Sequence, residues 1–142
     1  MEIFKKLITM VLVFLPFSLT AYGKISFINL MIEPEIYENK NVSVMGYALD
    51  RPLDTLYLTK DHGKARDIPS SIPVYDMTKN GSMGIACRGS YVKVYGRVIK
   101  VEGGYGIGDI TEIYVADGFQ KCWTKEQGNI YPDGIVPNEN PN

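Results

Sequence analysis

Histidine, tryptophan and cysteine are nearly absent from this chain: one, one and two residues among 142. A zinc site needs several closely spaced Cys, His or acidic ligands, and a dithiol redox centre needs Cys-x-x-Cys, so neither chemistry finds its residues here. His62 stands beside Asp61 in a charged segment and reads as a solvated side chain rather than a base. Basic residues are not in excess either. The formal charge is −1, so the chain projects no general field toward nucleic acid or anionic membrane. No apolar run approaches the ~20 residues of a spanning helix. A Gly-x-Ser-x-Gly nucleophile elbow is missing. The one imitation of a phosphate loop, "GGYGIG" at 103–108, precedes a strand pattern instead of a helix, and its glycines serve a turn. These gaps argue against an enzyme, a metal site and a bound cofactor.

What is present suits one domain: 45% hydrophobic and 22% charged residues. Residues 1–23, "MEIFKKLITMVLVFLPFSLTAYG", carry the parts of a cleavable secretory signal. Lys5 and Lys6 form the basic start, Leu7 to Leu15 the apolar stretch, Pro16 a break, and Ala21-Tyr22-Gly23 places small residues at −3 and −1 of a cut before Lys24. The apolar stretch is too short for a stable membrane anchor, and no cysteine follows it to take a lipid. A periplasmic or secreted protein is expected, with a domain over 24–126 and a flexible Pro/Asn/Gly-rich tail over 127–142. Loss of two lysines and one glutamate takes the remainder from −1 to −2.

Export changes the meaning of Cys87 and Cys122, which in an oxidising compartment form a disulfide more readily than a metal pair or a nucleophile. If "YVKVYGRVIKVE" and "YGIGDITEIYVAD" make an antiparallel hairpin turning at Gly103-Gly104, opposed positions sum to 207 and the cysteines to 209. One irregularity at the hairpin's open end then brings them together.

Along the remaining chain, Ser26 is placed to cap a short apolar helix that Pro34 ends. "NVSVMGYAL" and "TLYLTK" alternate at strand period, and "IPVYDM" offers a third strand that Pro73 consigns to an edge. "KDHGKARDIPSS" is a loop with room for one helical turn, and "TKNGSMGIACRGS" a glycine-rich connection. Two long strands follow. Val-x-Val-x-Gly occurs twice, at 42–46 and 92–96. Two neighbouring strands of a small barrel, each bent at its glycine, account for the repeat.

The expected fold is therefore mainly all-β: a five-stranded, OB-fold-like barrel with the N-terminal helix as its plug. The succession "PEIYENKNVSVMG", "LYL", "GSYVKVYG" and "DIT" resembles exported bacterial OB-fold proteins of unestablished function, over about residues 25–116. That resemblance implies a fold and no catalytic residues.

With Val42, Val44, Leu56, Leu58, Ile72, Val74, Val92 and Val94 inward, alternation sends Tyr47, Tyr57, Tyr75 and Tyr95 outward, with Lys93 and Arg97 among them. Arg51 and Tyr105 join from the loops "DRPLD" and "EGGYG". The expected function is a non-enzymatic binding module whose tyrosine face takes a protein partner or an oligosaccharide. The alternative is a single-stranded nucleic-acid-binding domain, which the scattered basic residues disfavour.

Overall fold

The computed structural model of the protein describes residues 21–50, 53–75, 83–116 and 120–131, apart from the side chains of 84 and 85. Most of the expected signal, the 76–82 part of the glycine-rich connection and the chain beyond 131 lie outside the described residues. The fold is mainly β, with eight strands in one sheet. They are β1 (Gly23–Lys24), β2 (Asn41–Leu49), β3 (Thr55–Tyr57), β4 (Ser71–Pro73), β5 (Tyr91–Val101), β6 (Gly104–Val115), β7 (Gln120–Thr124) and β8 (Gly128–Asn129). Their order is β4-β3-β2-β5-β6-β7-β8, antiparallel throughout, and β1 adds a short parallel pairing to β2. Five strands were expected; β1, β7 and β8 are additional. The sheet does not close on itself as a continuous ladder. One isolated parallel bridge joins Val74, just after β4, to Ile107 of β6, and Tyr75 N–H donates to Ile107 O at 2.8 Å.

The two Val-x-Val-x-Gly runs are neighbours, as the repeat implied. In antiparallel register Val42 opposes Gly96, Val44 opposes Val94 and Gly46 opposes Val92, so each glycine faces a valine of the other copy. The inner face so formed meets Leu56, Ile72, Val98, Ile107, Ile110, Ile113 and Trp123 in one buried cluster. The valines and leucines expected to point inward do so, Leu58 being only partly buried. Helix α1 (Phe27–Ile32) is capped by Ser26, whose Oγ accepts from Asn29 N–H at 3.1 Å, and it seats Phe27 and Leu30 in the same cluster. Pro34 ends that helix and begins a 3₁₀ turn, Pro34–Tyr37. Helix α2 (Lys60–Ala65), capped by Thr59, is the helical turn expected in the charged segment, and β4 with Pro73 does stand at an end of the strand path.

The β5–β6 hairpin departs from its expected register near the turn. Val101 opposes Gly104, summing to 205, while Tyr95 opposes Glu112, summing to the expected 207. Two residues of β6 are thus extra around Gly96, and this bulge sends Ile110 into the core and Asp109 outward to an ion pair with Arg97.

Cys87 and Cys122 form the expected disulfide, with Cα atoms 5.3 Å apart. The route differs from the hairpin construction. Cys87 lies in a helical turn, α3 (Gly84–Cys87), and Cys122 on β7, which returns along the far edge of β6. Of the segment expected as a flexible tail, the described residues 127–131 include β8, which pairs with β7, and Asn129, whose Oδ1 accepts from Ala86 N–H at 3.2 Å.

Two stability outcomes follow. A Cβ at Gly96 would lie 2.7 Å from Gly108 O, Ile107 Cγ2 and Ile110 Cδ1, whereas one at Gly46 would meet its nearest neighbours at 3.1 Å. Gly96→Ala is therefore expected to cost about 1–3 kcal/mol and Gly46→Ala less, read from denaturant melts. Equal, negligible effects would show that neither glycine is required by close packing. Replacing both cysteines by alanine is expected to cost about 2–5 kcal/mol, and the native protein should show no reactive thiol under denaturing, non-reducing conditions.

Candidate functional site

The outer face does not carry all the tyrosines assigned to it. Tyr57 is fully buried and Tyr47 is 7% exposed, which corrects both as ligand-facing residues. For Tyr47 the cause is α2, which lies over this end of the sheet. Its Gly63 approaches so closely that a Cβ there would sit 3.0 Å from Tyr47 Cδ1 and 3.1 Å from Leu49 Cδ1. Tyr91 supports the same helix, its phenol oxygen accepting from Lys60 N–H at 3.0 Å while its ring meets Tyr47 edge-on. Strand alternation gave the correct side of the sheet but could not show that a helix covers it.

Tyr75 and Tyr105 lie apart from the outer strip. Tyr75 packs over Gly106, where a Cβ would be 2.7 Å from its ring. Tyr105 lines an apolar pocket of about 230 Å³ with Leu30, Met31, Pro34, Pro69 and Ile72. Arg97 is engaged by Asp109, and Arg51 lies outside the described residues.

Lys93 and Tyr95 are the two expected residues that the structure gathers into a strip, and their companions were not foreseen. One cross-strand row runs Met45, Lys93, Tyr114, Lys121, and the next runs Ser43, Tyr95, Glu112. Tyr95 meets Tyr114 edge-on at 5.8 Å. Lys93 Nζ lies 5.8 Å from the Tyr95 ring centre and Lys121 Nζ 5.5 Å from that of Tyr114, within cation–π range. Lys121 also pairs with Glu112 at 3.1 Å, and that hydrogen bond and charge, with Tyr114, raise its pKa above the ordinary lysine value. Met45, 48% exposed, adds an apolar end. Tyr22 completes the strip by lying edge-on against Tyr95 at 5.4 Å, with its phenol oxygen 3.2 Å from Thr111 Oγ1. The rows as far as β6 could have been found from sequence by pairing the two repeats and applying the hairpin sum of 207, which sets Lys93 against Tyr114 and Tyr95 against Glu112. Tyr22 could not, because it falls within the segment read as signal.

The strip offers ring edges and faces alternating with ammonium groups on three paired strands. Such a surface can stack an aromatic or sugar ring and pair a nearby anionic group. Elsewhere, Thr59 Oγ1 lies 2.6 Å from His62 Nδ1, and His62 Nε2 lies 3.8 Å from Asp67. Thr59 Oγ1 also accepts from His62 N–H at 3.3 Å, so this contact is part of the helix cap. Among the described residues no group of three or more His, Cys, Asp and Glu side chains could hold a metal ion, and no helix is long and apolar enough to cross a membrane. No family model, curated protein or solved structure matches the chain.

The Tyr57 hydroxyl is buried with no hydrogen-bond partner among the described residues. Tyr57→Phe is therefore expected to leave thermal stability unchanged or raise it, since it removes an unpaired polar group. Tyr57→Ala is expected to cost about 3–5 kcal/mol, the range for truncating a buried aromatic ring. A small effect of the alanine change would restore Tyr57 to the surface.

Proposed function

We propose that the protein is an exported, non-enzymatic binding module, and that its ligand, a protein partner or an oligosaccharide, sits on the strip of Tyr95, Tyr114, Lys93 and Lys121. The observation that carries this reading is the clustering of half-buried tyrosines with two lysines on rigid, paired strands, where a ring can be stacked with little ordering cost. A Cys87–Cys122 disulfide is compatible with an oxidising compartment and so with export. We read the fold as a curled OB-like barrel plugged by α1. In its favour, the Val74–Ile107 bridge lies where the two ends of the β4-β3-β2-β5-β6 path would meet, and Phe27 and Leu30 enter the cluster from α1. Nucleic acid is the less favoured ligand. A backbone-tracking groove needs a run of basic groups, and the strip has two, one of them already paired with Glu112.

The test is a binding screen of the exported protein against single-stranded DNA, acidic and neutral glycans, and cell-envelope extract at two salt concentrations. Tyr95→Ala and Tyr114→Ala are each expected to weaken binding by about 1–3 kcal/mol, the range for losing one stacking partner. Salt should weaken it only mildly. A steep salt dependence would transfer the site to the nucleic-acid class. Full binding by both folded variants would remove the strip from function.

A further inference from the structure

Tyr22 occupies the place on the strip that a ligand ring would take, and very little holds it there. Strand β1 has two residues, both exposed, in register with Val42 and Ser43, and its pairing continues only as far as Ile25 N–H, which donates to Ser43 O at 3.1 Å. From this hold on the edge of β2, the Tyr22 ring reaches across β5 to Tyr95, and its phenol oxygen meets Thr111 of β6. The edge of β2 is divided between two strands. Tyr47–Leu49 pair with β3, and Val42–Ser43 have β1 as their neighbour on that side. Without β1, that end of β2 presents unpaired backbone groups beside an uncovered Tyr95, which is the arrangement an added strand completes.

We propose that this position, the Val42–Ser43 edge of β2 with the ring seat formed by Tyr95 and Thr111, is a binding groove for an extended peptide carrying an aromatic residue, and that the chain's own residues 22–24 are its displaceable occupant. The proposal rests on the reading of the tyrosine strip as a binding face and names the partner: an added strand, parallel to β2, with its aromatic side chain in the Tyr22 seat. The groove is not restricted to glycine at the next position, because a Cβ on Gly23 would approach nothing closer than Asn41 O at 3.8 Å. Lys93, beside the Tyr95 ring, favours an acidic neighbour to the incoming aromatic residue. A cut before Lys24, where the signal pattern places it, removes Tyr22 and Gly23 together and leaves Ile25 and α1 in place. Processing then both releases the protein and empties the seat. A tethered occupant competes at an effective concentration of about millimolar for a short linker, enough to mask a micromolar ligand.

The experiment uses the full chain, its Tyr22→Ala variant and a fluorescent peptide, "TAYGKI", copied from residues 20–25. The Tyr22→Ala chain is expected to bind the peptide at least tenfold more tightly than the parent chain. That gain should vanish when the peptide itself carries Tyr22→Ala, and when Tyr95→Ala is added to the protein. Tyr22→Phe, which keeps the ring and loses the Thr111 contact, should fall between parent and alanine variant, and it serves as the test if Tyr22→Ala folds poorly. Nitration of Tyr95, located by mass spectrometry, should rise in the alanine variant. Equal binding by parent and Tyr22 variants, or by peptides with and without the tyrosine, overturns the proposal. If an envelope ligand is lost with Tyr114→Ala yet fails to compete with the peptide, the strip still binds and the strand-addition groove is wrong. If the peptide binds as expected while no envelope ligand depends on Tyr114, the groove stands and the wider strip does not.

Discussion

Each copy of Val-x-Val-x-Gly places its glycine against a valine of the other, and the architecture depends on that pairing. The Val44–Val94 pair lies between two Val–Gly pairs, so the centre of the β2–β5 ladder is bulky and its flanks are hollow. Other elements fill the hollows. Phe27 of α1 and Leu56 of β3 press toward Gly46, while Ile107 and Ile110 of β6 press toward Gly96. Helix, meander and hairpin are thus located by two missing side chains. A valine at either glycine would close the space through which one of these neighbours reaches the core.

The same pairing sets the outer face. Once Val94 opposes Val44 on the inside, alternation puts Ser43 beside Tyr95 and Met45 beside Lys93 on the outside. The bulge near Gly96 then changes what Tyr95 meets, by shifting β6 two residues along. It turns Asp109 into the left-handed region at φ 46° to reach Arg97, and it leaves Thr111 close enough to Tyr95 and Tyr22 to act as a seat. An irregularity that packs Ile110 inside also builds the polar corner of the strip.

The strand period made β5 legible, because its alternation over Tyr91–Val98 buries Val92, Val94 and Val98 on one face, and the repeated Val-x-Val-x-Gly carried the inward valines of β2 with it. What remained hidden depended on contacts between distant segments. Tyr47 and Tyr57 alternate like surface residues yet are buried, Tyr47 beneath the close approach of α2 at Gly63. The hairpin construction puts Cys122 at the open end of β5–β6, although Asp117-Gly118, which precedes it, is itself a turn signal between two strand patterns. The disulfide partner was nonetheless recoverable, since two cysteines allow one pairing. Lys93 and Tyr95 are placed correctly on the outer face because they stand on the most regular strand. Tyr114 follows from the expected hairpin register, whereas Lys121 required the pairing of β6 with β7, whose register shifts between Ile113 and Tyr114.

The strip lies beside a pairing of only two residues, β1 on β2, and under the proposed groove this has a physical basis. A sheet edge that must remain able to accept another strand cannot be covered by a long one, because each added ladder bond raises the cost of displacement. Two residues of β1 satisfy the backbone of β2 without committing it. The long β5–β6 hairpin lies on the other side of β2, so Tyr95 and Tyr114 stand on strands whose mutual pairing does not pass through β1, which pairs with β2 alone.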